Sequence, residues 1–285
     1  MSAVVTVAVA VALLGSVLVV GSVALTGTSA DVSSVAPTPS PRARPLSAGR
    51  SLATDPELRL RAARITSTFE NATTVLQYGY AEDIGDGRGI TAGRAGFTSA
   101  TSDLLLVVRR YTLLRPDNIL ARYIPALEKV DGSDSTDGLD GFGAAWAKAA
   151  KDPVQRKVQD DVVDELYFEP ALRLAKAAGV RTPLGQAIVW DTMIQHGDGG
   201  EDGTKVILDE TVSAEGRVSG NERAWLDAFL DVRLRHLRHM YTDSPDDDSS
   251  SRSRINALRS LVSADRMTLA LPLSWEVYGH RFTLG

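Results

Sequence analysis

Apolar side chains at Leu58, Ala62, Ile65 and Phe69 return every three or four positions, the period that gathers them on one face of an α-helix. Thr54-Asp55-Pro56-Glu57 opens that helix: a side-chain oxygen caps it, proline sits in the first turn, and an acid meets the positive end of the dipole. The spacing carries it to Asn71. Helical spacing then returns over roughly 100–112, 117–129, 140–151, 153–178, 183–195, 203–212, 220–242 and 252–263. Val154, Val158, Val162 and Leu166 mark a long buried seam, which Pro170 is expected to end or kink.

Residues 80–97, YAEDIGDGRGITAGRAGF, break the pattern. Their glycines and short polar residues forbid a continuous helix and suit tight turns between short strands such as Gly89–Ala92. The fold class is therefore mainly α with a small β element. Ser244–Ser251, acidic and serine-rich, reads as an exposed loop, and no internal repeat is visible.

The first thirty residues carry no charge and end in small side chains, so residues 1–30 read as an export signal cut near Ala30. The apolar stretch from Ala3 to Leu25 is also long enough to span a bilayer, and an uncleaved N-terminal anchor is the alternative. Either way the rest of the chain is expected outside the cell. Residues 31–50, with Pro37, Pro39, Pro41 and Pro45 among Ser, Thr and Arg, form a disordered linker, leaving 51–285 as the folded domain. The absence of cysteine excludes a cystine-stapled fold and thiolate chemistry. Over 51–285, 28 basic against 35 acidic side chains leave a formal charge of −7, which argues against nucleic acid and suits a cationic partner.

Gly87-Arg88-Gly89-Ile90-Thr91-Ala92 matches G-x-G-x-x-A, but acidic residues precede it where a dinucleotide site needs a buried strand, so nucleotide binding is rejected. Asp83 and Asp86 lack the spacing of a calcium loop. His196, His236, His239 and His280 show no metal-ligand spacing, so neither a metal nor a cofactor is expected. His196 ends a helix before a glycine turn, as a C-terminal cap or as a group facing a ligand. Arg233 shares a helical stripe with Leu226, Leu230, Leu237 and Met240; it either snorkels outward or needs a buried carboxylate. What remains is acid chemistry. Glu70 at a helix end and Asp86 in a glycine-framed turn suit glycoside hydrolysis, one among several uses of paired carboxylates.

Glu70-Asn71 and the run Tyr78-Gly79-Tyr80-Ala81-Glu82-Asp83-Ile84-Gly85-Asp86-Gly87-Arg88-Gly89-Ile90-Thr91-Ala92-Gly93 resemble the signature of the family 46 chitosanases. The similarity continues through Asp103, Tyr167-Phe168, Asp191, His196-Gly197, Phe229-Leu230-Asp231-Val232-Arg233 and Pro272-Leu273-Ser274-Trp275. The resemblance implies a lysozyme-like fold, with two lobes flanking a substrate cleft and joined by a long helix. It implies an inverting endo-hydrolase of the β-1,4 linkages of chitosan, with Glu70 as general acid, Asp86 as general base and Thr91 helping to hold the attacking water; a secreted monomer without a protein partner is expected. Tyr80, Arg88, Asp103 and His196 match cleft positions, Asp103 against a glucosamine ammonium, and Glu82 and Asp83 add negative charge for a polycation. Asp191, Arg233 and Arg254 match a charged network behind the acid. A lysozyme-like hydrolase of another amino-sugar polymer such as peptidoglycan is the alternative, and a non-catalytic sugar-binding protein a more distant one.

Overall fold

A computed structural model describes residues 50–242 and 245–285. The expected signal or anchor and nearly all of the linker lie outside the described residues. Helix α1 (Pro56–Asn71) begins where its capping signals place it: the Asp55 carboxylate accepts from the Glu57 and Leu58 amides. It buries Leu58, Ala62, Ile65 and Phe69, and ends at Ala72, whose φ of +50° turns the backbone away.

The glycine-rich stretch folds into β1 (Ala81–Asp83), β2 (Ile90–Ala92) and β3 (Phe97–Thr98), an antiparallel sheet in that order. Its register sets Thr91 between Glu82 and Thr98. The turn between β1 and β2 depends on left-handed backbone at Gly87 and Gly89, with φ of +79° and +66°. A Cβ on Gly89 would also lie 2.3 Å from Ser99 Oγ, the atom that accepts from the Ile90 amide and closes the turn onto β3.

Helices α2 (Asp103–Leu114), α3 (Ile124–Val130) and α4 (Phe142–Ala149) gather round this sheet over a core that includes Phe97, Leu104, Leu127 and Trp146. A second lobe packs α1 with α7 (Pro183–His196), α8 (Thr204–Glu215), α9 (Glu222–Met240), α10 (Pro245–Ser263) and the hairpin β4 (Leu273–Val277) to β5 (His280–Leu284). Phe69, Trp190, Phe229 and Leu230 are central to its core. The lobes are joined by the helical run from α5 (Pro153–Val163) to α6 (Glu169–Ala178).

Two expectations need correction. Pro170 does not end the run: Asp164–Phe168 form a π-helical turn, and Pro170 then sits in the first turn of α6, where its missing N–H costs little. The extra residue in that turn rotates the remainder of the run by about 100°. Leu166 therefore leaves the seam of Val158 and Val162 and stands 36% exposed, while Phe168 is buried. Residues 245–251 are likewise helix rather than loop, because α10 starts at Pro245 and buries Ser251. A proline followed by three aspartates is a helix-start composition, since proline suits the first turn and acids favour the positive end of the dipole.

Candidate active site

Glu70 lies in the last turn of α1, where Arg254 Nη1 donates to its Oε1 at 2.6 Å. The same guanidinium donates to Asp191 on α7 through Nε (3.0 Å) and Nη2 (2.8 Å). Arg233 Nη1 donates to Asp191 at 2.9 Å, and the Thr66 hydroxyl donates to its other oxygen at 3.0 Å. Arg233 does not snorkel: it is fully buried, and Asp191 is the carboxylate its place on an apolar stripe demands. Burial pushes the Asp191 carboxyl up, but the two guanidinium groups outweigh it and hold the group below the usual carboxylate range. Burial brings Arg233 down to about 10. For Arg254 burial acts the same way, yet Asp191 and Glu70 prevail and the net shift is upward.

The C-terminal hairpin braces this end of α1. Trp275 Nε1 donates to the Thr68 hydroxyl at 3.0 Å, and the Tyr278 hydroxyl donates to the Phe69 carbonyl at 3.0 Å. Sequence reasoning missed both supports, although Leu273, Trp275 and Val277 alternate as a half-buried strand should, with Gly279 at the turn.

Asp86 occupies the turn between β1 and β2. Its Oδ1 accepts from the Arg88 amide at 3.1 Å and its Oδ2 from Arg88 Nε at 3.0 Å, with Arg88 Nη2 completing the pair. Arg88, expected at the substrate, thus holds Asp86 in place. Thr91, on the middle strand, is 4% exposed, and its buried hydroxyl has no hydrogen-bond partner among the described residues. The Tyr80 hydroxyl donates to Glu82 at 3.4 Å; burial first, then Glu82 and Asp86, raise its pKa. Glu82 and Asp83 are exposed, and Asp83 spends one oxygen on the Gly85 amide.

Asp103 heads α2 with a one-sided set of partners. Its Oδ1 accepts from the Thr98 amide, the Thr101 hydroxyl and the Leu104 amide at 2.8–2.9 Å. Burial pushes the carboxyl up to about 6 against the opposing pull of those bonds.

Tyr167 brings the halves together. Burial raises its pKa most; Asp103 and Glu70 act in the same direction, and Arg88 opposes them. The phenol thus lies within electrostatic reach of Glu70 from one lobe and of the Arg88 that grips Asp86 in the other. The π turn puts it there, which is why helical spacing did not find it. His196, at the end of α7, pairs Nδ1 with the Asp202 carbonyl at 2.8 Å. Burial and the charge of Arg233 hold its pKa well below the usual value, so the ring is neutral, Nδ1 donates, and the buried Nε2 is an acceptor without a partner among the described residues. Of the two readings of His196, the helix cap is not what forms: Nδ1 ties the segment that follows α7 to the helix end through the Asp202 carbonyl, and Gly197 N–H closes the helix on Met193.

Residues 64–273 match the family model described as glycosyl hydrolase family 46. The chain is 42% identical over 220 residues to a Bacillus subtilis chitosanase, covering 75% of this chain and 79% of that protein. To a Streptomyces chitosanase it is 40% identical over 237 residues, covering 81% and 83%. The Gynuella sunshinyii family 46 chitosanase complexed with chitotetraose superposes with a TM-score of 0.74 at 43% identity, over 81% of this chain and 98% of that one. The two-lobed architecture is the lysozyme-like fold of these structures.

Proposed function

The chain belongs to glycosyl hydrolase family 46 and hydrolyses chitosan, and on that premise we propose that Glu70 and Asp86 carry an inverting cleavage of its β-1,4 glucosamine linkages. Glu70 gives its proton to the leaving glycosidic oxygen. Asp86 takes a proton from a water that attacks the anomeric carbon from the opposite face, and the Thr91 hydroxyl holds that water. The reading is supported by one arrangement: Glu70, anchored by Arg254, and the Arg88 that grips Asp86 both act electrostatically on the buried Tyr167 phenol, one from each lobe. A helix end and a separate glycine turn leave room for the gap of about 6.5–9.5 Å that inversion requires between the two carboxyl groups.

Asp103 offers Oδ2 to a glucosamine ammonium, since three donors already engage Oδ1. His196 Nε2 accepts from a sugar hydroxyl. Glu82 and Asp83 extend the negative field that draws in a polycation. A polymeric substrate and the uncharged N-terminal segment support export, with residues 1–30 as the signal and 51–285 as the catalytic domain. The test is reducing-end release from soluble chitosan, with the anomeric configuration of nascent product followed by NMR. Inverted product supports the assignment; retained configuration, or release from peptidoglycan but not from chitosan, overturns it.

A further inference from the structure

Histidine spacing predicts no metal ligands, yet the fold draws a mixed donor set together from two distant segments. Glu201, Asp202 and His239 each place a ligand atom within 4.8 Å of the others. The segment between α7 and α8 supplies the two acids, and the last turn of α9 supplies the imidazole. With His236, Glu210 and Arg235 they line an open pocket of about 290 Å³.

We propose that this pocket is a binding site for a divalent transition-metal ion such as zinc, held by Glu201, Asp202 and His239. Imidazole with carboxylate is a donor set that suits zinc, and three protein ligands leave a fourth position for water. Asp202 Oδ2 and His239 Nδ1 share a hydrogen bond of 2.9 Å, so the two atoms already face one point and an ion would replace the proton between them. The next layer is also present. His236 Nδ1 meets Asp202 Oδ1 at 2.7 Å while its Nε2 meets Glu210 at 2.9 Å, so a histidine clamped between two carboxylates orients the central ligand. Arg235 pairs with Glu210. The three carboxylates outnumber the cations around them, so the pocket is acidic, as a divalent ion requires.

The site bears on the sugar cleft through one residue. Asp202 supplies its carboxylate to the pocket and its carbonyl to His196. A bound ion fixes the segment 197–203 that orients His196.

Isothermal titration of zinc into the untagged full chain at pH 7.5, with magnesium as control, decides the matter. One zinc per chain is expected, weakened at least tenfold in both His239→Ala and Asp202→Asn and unchanged in His280→Ala. His239 is largely exposed, so its alanine variant folds normally, as circular dichroism will verify. The absence of saturable zinc binding up to 1 mM, or wild-type affinity in His239→Ala, overturns the proposal. Neither result decides the assignment of Glu70 and Asp86.

Discussion

Arg254 holds Glu70 from behind, its Nη1 donating to Oε1 at 2.6 Å while the rest of the guanidinium is committed to Asp191. The position of the acid is thus set from α10, the better part of the chain away, rather than by α1 alone. Removing Arg254 leaves two carboxylates, Glu70 and Asp191, to the single buried cation of Arg233, and an uncompensated buried charge costs about 3–5 kcal/mol. Arg254→Ala is therefore expected to lose that much in urea unfolding and to lower kcat as well. Arg254→Lys keeps the charge but cannot serve both acids in the same geometry, so it should fall between. Equal stability of Arg254→Ala and wild type would remove the network from the account.

The same network predicts an acid limb of stability. The folded Asp191 carboxyl is held below its ordinary value, so its contribution is complete above the unfolded value, about 3.9, and is lost as pH falls through the folded one. Asp191→Asn should be less stable than wild type at pH 7. The gap should narrow below about pH 4. A gap that stayed constant down to pH 2 would show that Asp191 does not titrate in the range proposed.

Glu70→Gln and Asp86→Asn keep shape and remove the proton function. Each is expected to cut kcat by at least about 10²–10⁴-fold, the usual worth of a positioned acid or base. Binding of glucosamine oligomers should survive, and either variant hydrolysing at near-normal rate would refute its assignment.

The helices were legible because their cores repeat regularly: α1 shows in the spacing of Leu58, Ala62, Ile65 and Phe69, and Arg233 announces its need for a partner by standing on an apolar stripe. The identity of that partner was not legible from spacing, because Asp191 lies 42 positions away and only packing brings them together. Tyr167 escaped for a different reason. A π turn changes the phase within a helix without a glycine or a chain break to mark it, so Leu166 seemed to be core and Tyr167 did not. The Glu201–Asp202–His239 cluster shows the limit of motif spacing, since its members come from a loop and a helix with α8 between them.

Thr91 allows a test that separates chemistry from stability. Its hydroxyl is buried without a protein partner, so Thr91→Val removes a polar group that folding leaves unpaired and keeps the volume. The thermal midpoint should stay the same or rise. If the hydroxyl holds the attacking water, kcat should nonetheless fall about 10–100-fold with KM little changed, the pattern of an interaction made at the transition state. Unaltered kcat would leave Thr91 as a strand residue only.

Asp103 makes the sharpest pH prediction. Burial raises its folded pKa to about 6, above the unfolded value of 3.8, so the free protein holds this proton more tightly than the unfolded chain does. The stability it contributes is complete below the unfolded value and is lost as pH rises through about 6. An ammonium reverses the balance, because it favours the ionised carboxylate. Below pH 6 a glucosamine oligomer must displace the proton before pairing, and affinity should weaken by up to about tenfold per pH unit. Toward neutrality the sugar amines lose their own protons, so affinity passes through a maximum. Asp103→Asn should weaken binding by about 10–100-fold at that maximum, the worth of a hydrogen bond to a charged group. It should also abolish the acid limb while leaving the alkaline one. Calorimetric titration of glucosamine oligomers from pH 4.5 to 8 measures both limbs. An acid limb that persists in Asp103→Asn would assign the cationic subsite to another carboxylate.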